Sequence, residues 1–155
     1  GGIMLAHVAS AEGIAAVEKI MECKNHTDFE TIPSCVYTSP ELSSVGLSEK
    51  EAAAKGLDYK TGIFPLMGNG KSLIIGDTSG LVKIIADRNS GEVLGIHMCG
   101  PNATELAAYG ALAIHQKARV EDLLSTIHAH PSVGESLQEA AHAVFGNALN
   151  MPPVK

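Results

Sequence analysis

Two apolar runs, Leu81 to Asp87 and Glu92 to Met98, are separated only by Arg88-Asn89-Ser90-Gly91, and this limits the fold more than any other feature of the chain. Four residues with turn chemistry between strand-like runs make a hairpin, so the two runs are antiparallel neighbours. Tyr59 to Leu66 reads as a third strand, and Ile32 to Thr38 as a fourth, with Pro33 and Pro40 suited to its ends. Between Tyr59–Leu66 and Leu81–Asp87 lies Gly68-Asn69-Gly70-Lys71-Ser72, which superficially resembles the end of a phosphate-binding loop. Such a loop needs a glycine where this chain has Pro65, and it must open a helix, whereas Leu73-Ile74-Ile75 looks extended. The stretch is therefore read as a long hairpin loop.

Helices surround these strands. Leu5, Val8, Ile14, Val17, Ile20 and Met21 recur near helical spacing over residues 3–23, and the polar Asn25-His26-Thr27-Asp28 breaks the chain after them. Ser48 caps a short helix running to Ala54, with Gly56 as its stop. Ala103 to Lys117 is a helix rich in small residues, which implies close packing against whatever it covers. A short helical piece over Val120 to Leu124 and a last helix over Val133 to Phe145 follow, before an irregular, mobile tail from Met151 to Lys155. Strands and helices do not alternate strictly. The order predicts an α+β domain with a mainly antiparallel sheet and helices on one face.

Composition excludes several functions. The net charge of −6 argues against a nucleic-acid partner, because phosphate binding needs surplus Lys and Arg. No long apolar run suits a membrane span. With 45% hydrophobic residues, no Trp and three Phe, the core must be built from aliphatic side chains. Cys23, Cys35 and Cys99 are scattered and odd in number, which fits free thiols packing as small apolar residues in a reducing, cytoplasmic compartment. No i, i+4 His pair with an acid is present, so no metal site is expected. The chain opens Gly1-Gly2-Ile3 without Met and shows no secretory signal, as a piece cut from a longer protein would.

The segment best suited to chemistry is Ile127-His128-Ala129-His130-Pro131-Ser132-Val133-Gly134-Glu135. Pro131 biases His130 toward extended backbone, Ser132 is a good N-cap, and Glu135 follows it by three. Two readings stand. In one, Ser132 and Glu135 form a capping box and nothing more. In the other, His130 is a general base and Glu135 orients its ring and stabilises its charged form. His128 reads as a loop-packing histidine, with a supporting or substrate-channel group as the alternative; His97 and His142 read as packing histidines, and His7 and His26 as a helix-face and a loop histidine.

Cys35-Val36-Tyr37-Thr38-Ser39-Pro40-Glu41 with Val45-Gly46, then Gly95-Ile96-His97, Glu105, and His128-Ala129-His130-Pro131-Ser132 with Glu135, resemble the C-terminal interface domain of pyridine-nucleotide disulfide oxidoreductases. Leu5-Ala6-His7-Val8-Ala9-Ser10-Ala11-Glu12-Gly13 resembles the helix that precedes that domain and faces the flavin. The His128/His130 doublet favours the dihydrolipoamide dehydrogenase branch over glutathione reductase and mercuric reductase. The resemblance implies residues 1–26 as the last helix of a flavin domain and residues 27–155 as the dimerisation domain. It further implies a homodimer in which His130, held by Glu135, accepts a thiol proton in the partner subunit's active site. Met4, Leu5, Ala6 and His7 would touch flavin.

In the whole enzyme, electrons would pass from a dihydrolipoyl-bearing protein of a multienzyme complex through FAD to NAD. The FAD and NAD domains would be joined to this one in the same chain. The His130–Pro131 bond is expected to be cis. Ser39 stands where the family often has His, and Ser132 where it usually has Thr. The sequence also lacks a Gly-x-Gly-x-x-Gly loop and a redox cysteine pair, so this piece alone is expected to be cofactor-free, colourless and inactive. The competing reading is a non-catalytic dimeric binding or assembly module, or the same domain of a reductase such as glutathione reductase.

Overall fold

A computed structural model describes residues 2–151; most of the expected irregular tail, residues 152–155, lies outside the described residues. The chain divides into two compact units, one up to Ile32 and one from Pro33. In the first, helix α1 spans Ala6–Ile20, shorter at both ends than the 3–23 expected. Its N-cap, Leu5, is extended and provides no side-chain bond, and no acid sits in the first turn. Val8 is buried while Ile14, Val17 and Ile20 remain exposed.

The second unit is α+β. Strands β1 (Ser34–Val36), β2 (Leu42–Gly46), β3 (Tyr59–Pro65), β4 (Leu81–Asp87) and β5 (Val93–Cys99) form one sheet in the order β1-β2-β5-β4-β3. Every neighbouring pair is antiparallel. The β4–β5 hairpin forms as expected, and the Asp87 carboxylate organises its turn by accepting from the Asn89 and Ser90 amides at 3.0 and 2.7 Å. Gly91, at φ +76°, takes the left-handed conformation that closes the turn.

The strand β2 is absent from the sequence reading, which passes from the strand ended by Pro40 to the Ser48 cap. Leu42-Ser43-Ser44-Val45-Gly46 has little strand propensity, but it is paired on both edges, with β1 and with β5, and the two ladders hold it. The expected hairpin loop between β3 and β4 is also corrected. Leu66–Gly68 makes a single 3-10 turn and Gly70–Ile75 is a helix, α3. The β-branched Ile74 and Ile75 suggest extended chain, yet the Asn69 side chain accepts from the Ser72 amide at 2.9 Å and nucleates the first turn. Gly76 at φ +76° ends it.

Helix α2 (Glu49–Ala54) begins in a full capping box: Ser48 Oγ accepts from Glu51 N at 3.3 Å and Glu51 Oε2 accepts from Ser48 N at 2.8 Å. The longer helices α4 (Ala103–His115) and α6 (Glu135–Val144), with α5 (Val120–Ser125), gather over one face of the sheet. In α6, Leu137, Ala140, Ala141 and Val144 are buried at i, i+3, i+4 and i+7, the stripe a sheet-covering helix requires. They meet Phe64, Val82, Ile84 and Ile96 in a core that is mainly aliphatic, as expected, but has the fully buried ring of Phe64 in it. Lys83 alternates with Val82 and Ile84 and so points to the other face, where its Nζ meets Glu49 Oε2 of α2 at 2.6 Å. No helix among the described residues is long and apolar enough to cross a membrane.

Candidate active site

The loop between α5 and α6 holds the residues singled out in the sequence. His130–Pro131 is cis, as the resemblance implies, and so is Ser39–Pro40. The two readings of Glu135 do not exclude one another, because its carboxylate has two oxygens and each makes a different bond. Oε1 lies 2.9 Å from His130 Nδ1, and Oε2 accepts from the Ser132 amide at 2.8 Å. The second bond is half of a capping box. The other half does not form, since α6 starts one residue after Gly134, which is its N-cap and has no side-chain oxygen.

This geometry fixes the tautomer of His130. An ionised carboxylate can only accept, so Nδ1 carries the hydrogen and Nε2 keeps the lone pair. Nε2 is therefore the basic nitrogen. The His130 side chain is 77% exposed while Glu135 is only 26% exposed, so the orienting acid is sheltered and the basic nitrogen is open to a visitor. Burial of Glu135 pushes its carboxyl up, but the Ser132 amide and the His130 imidazole, with the field of His128 added, outweigh this and hold it below the usual carboxylate value.

A carboxyl depressed on folding stabilises the folded chain above its unfolded pKa, and that stability is lost as pH falls through the folded value. Glu135→Gln should therefore cost on the order of 1 kcal/mol near neutrality, the worth of charge-assisted hydrogen bonds discounted for partial exposure. Denaturant unfolding of both forms should show the difference vanish below the carboxylate range. A gap that persists in acid would mean that Glu135 acts by shape and not by charge.

The rest of the loop is tied down by other elements. Thr126 Oγ1 donates to the Asp122 carbonyl at 2.8 Å, and His128 Nδ1 to the Thr126 carbonyl at 3.0 Å. The His128 ring tilts against Tyr109 of α4 with centroids 5.8 Å apart, the packing role expected of it. At the other end, Asn69 Nδ2 donates to the Ser132 carbonyl at 2.9 Å. The sequence reading missed this residue. Its only local signal is the Asn69/Ser72 cap spacing, which gives no hint of a contact across the chain.

The remaining candidates lie elsewhere. Both ring nitrogens of His97 are engaged, Nε2 with the Leu47 carbonyl at 3.0 Å and Nδ1 with Ser44 Oγ at 2.7 Å, which leaves no free basic nitrogen. Burial pushes the Cys35 thiol up, against the thiolate form that redox chemistry uses. No cluster of three or more metal-ligating side chains occurs among the described residues. Met4, Leu5, Ala6 and His7 belong to the first unit, at the start of α1 and apart from the loop of His130 in the chain.

Residues 32–141 match the family model of the pyridine nucleotide-disulphide oxidoreductase dimerisation domain. The chain is 46% identical over 151 residues to a dihydrolipoyl dehydrogenase of Bacillus subtilis, covering 97% of this chain and 32% of that protein. It is 40% identical to a leghemoglobin reductase of Glycine max, covering 93% of this chain and 28% of that protein. Among solved structures, LpdA from Mycobacterium tuberculosis superposes with a TM-score of 0.85 at 29% identity, over 92% of this chain and 31% of that one. The chain thus spans about a third of the length of the curated relatives it matches. The antiparallel sheet with its helical cover, the loop that closes it and the matched residues agree, and the chain belongs to the dimerisation-domain family of the pyridine nucleotide-disulphide oxidoreductases.

Proposed function

We propose that this chain is the dimerisation domain of a dihydrolipoyl dehydrogenase and that it supplies the catalytic base of that enzyme. The observation that carries the reading is the His130–Glu135 pair at 2.9 Å, with Nδ1 committed to the carboxylate and an exposed imidazole beyond it. The reacting thiol belongs to a dihydrolipoyl group on a carrier protein. His130 Nε2 takes the thiol proton, and the thiolate attacks one sulfur of the enzyme's redox disulfide. A mixed disulfide forms and the other enzyme sulfur leaves as a thiolate. Glu135, half-buried and held ionised by the Ser132 amide and the His130 ring, accepts from Nδ1 of the imidazolium that results.

The redox cysteines lie outside this chain, and in our reading they belong to the partner subunit of a homodimer. Met4, Leu5, Ala6 and His7 are the residues we assign to the flavin. The uncapped first turn of α1, free of acids, suits that role, because helix N-terminal amides attract an electron-rich group. FAD bound there would supply the path by which electrons pass from the thiols to NAD.

The test is a paired assay on the full-length protein. NAD⁺ reduction by dihydrolipoamide should be strong and NADPH oxidation by glutathione disulfide weak. The reverse result would keep the fold and the dyad and move the substrate to that of a glutathione-type reductase. Activity in neither, from a protein that is a dimer by light scattering, would favour a non-catalytic assembly module in which Glu135 merely shapes the loop through Ser132.

A further inference from the structure

We propose that Asn69 is a positioning residue for His130, acting through the backbone of Ser132; the inference rests on the reading of His130 as the base. Asn69 is 3% exposed and stands 63 positions before Ser132 in the chain. The two ends of its amide face different groups. Oδ1 accepts from Ser72 N at 2.9 Å and Ser72 Oγ at 3.1 Å, while Nδ2 donates to the Ser132 carbonyl at 2.9 Å. A backbone N–H can only donate and a carbonyl can only accept, so the network admits one orientation of the amide.

Ser132 is consequently held by both of its backbone polar atoms. Its N–H is tied to Glu135 of α6 and its carbonyl to Asn69 at the head of α3. Glu135 orients the ring of His130 from α6, whose buried face is packed in the core, but its carboxylate only accepts and cannot hold the Ser132 carbonyl. Asn69 can, because its position is set by α3 and by the turn that follows β3. Pro131 joins the anchored Ser132 to His130, and its ring-locked φ transmits the anchor along the chain. Loss of the Nδ2–carbonyl bond should let the loop drift, and a drift of about 1 Å at a reacting group can cost up to about 10²-fold in rate.

Asn69→Asp in the full-length enzyme separates the two jobs of the side chain. One carboxylate oxygen still caps α3, while the other faces the Ser132 carbonyl and repels it. We expect kcat with dihydrolipoamide to fall about 10-fold or more with little change in KM. Ser72→Ala, which removes only a bond on the capping side, should keep the wild-type rate. In a His130→Gln background, Asn69→Asp should cost nothing further, since there is no base left to position. A folded Asn69→Asp enzyme with wild-type kcat would overturn the proposal, and so would an equal fold-loss in the His130→Gln background. If His130→Gln is itself fully active, the reading of His130 as base fails and takes this inference with it, a result distinct from either of the others. Should Asn69→Asp not fold, Asn69→Ser, which keeps a capping oxygen but has no amide to reach Ser132, must show the same pattern.

Discussion

Replacing His130 by Gln in the full-length enzyme is expected to slow reduction of the enzyme disulfide by dihydrolipoamide by about 10²- to 10⁴-fold, the usual worth of a positioned general base. Gln is the informative substitution. Its amide keeps a polar group of similar reach, and the loop keeps its tie to α6 through the Ser132 amide and Glu135 Oε2 at 2.8 Å, which does not involve the ring. It cannot take up a proton, so only the thiol-activating step should suffer. The effect should be confined to dihydrolipoamide turnover, and electron flow from NADH to an artificial one-electron acceptor, which needs no thiol proton, should keep its rate. The measurement is rapid-mixing flavin reduction by dihydrolipoamide. A wild-type rate there would end the catalytic reading of His130 and leave Glu135 with its structural bond to Ser132.

The second large effect is predicted at Gly62, on β3 beneath α6. A Cβ at that position would lie 2.1 Å from the Ala140 carbonyl oxygen and 2.5 Å from the Val144 amide nitrogen, both backbone atoms of α6. No rotamer change can relieve such a contact. The whole helix would have to lift, exposing Leu137, Ala140, Ala141 and Val144, all of them in the core. Gly62→Val is expected to destabilise the domain by about 3 kcal/mol or more, at or beyond the top of the usual overpacking range. The consequence for function is direct, because α6 carries Glu135 in its first turn. The His130–Glu135 contact should therefore loosen with the helix. Gly13→Ala in α1, where a Cβ would meet nothing within 4 Å, is the control and should be neutral or slightly stabilising. Denaturant midpoints of the two variants check the contrast, and a Gly62→Val protein as stable as the control would contradict the close helix–sheet contact.

The Glu135 carboxylate bonds the Ser132 amide and the His130 ring at once, so its capping bond leaves room for the proposed orienting role. A capping acid and a catalytic orienting acid need the same thing, an ionised carboxylate at a helix start, and two oxygens allow both bonds at once. The acid's half of a capping box engages one carboxylate oxygen only, as Glu51 Oε2 does in α2, so Glu135 Oε1 is available to His130 while Oε2 holds the Ser132 amide.

Much of this was legible from the residues alone, for a local reason. The β4–β5 hairpin, the Ser48/Glu51 capping box, the apolar stripe of α6 and the spacing of His130, Pro131 and Glu135 all depend on neighbours within about one turn of chain, and a sequence displays such neighbours side by side. What the sequence did not display depends on partners far along the chain. Leu42 to Gly46 is a strand because β1 and β5 flank it, and neither flank can be read from Ser43 or Ser44. Leu73-Ile74-Ile75 is the exception, because the Asn69 cap that outweighed their preference for extended chain is a local signal three residues from Ser72. The bond from Asn69 to Ser132 spans 63 positions and exists only once β3, β4 and α6 have packed. The chain by itself thus determined which groups could do chemistry; the tertiary structure decided which nitrogen of His130 is free and what holds it in place, because both follow from contacts that only the packed fold brings within hydrogen-bonding distance.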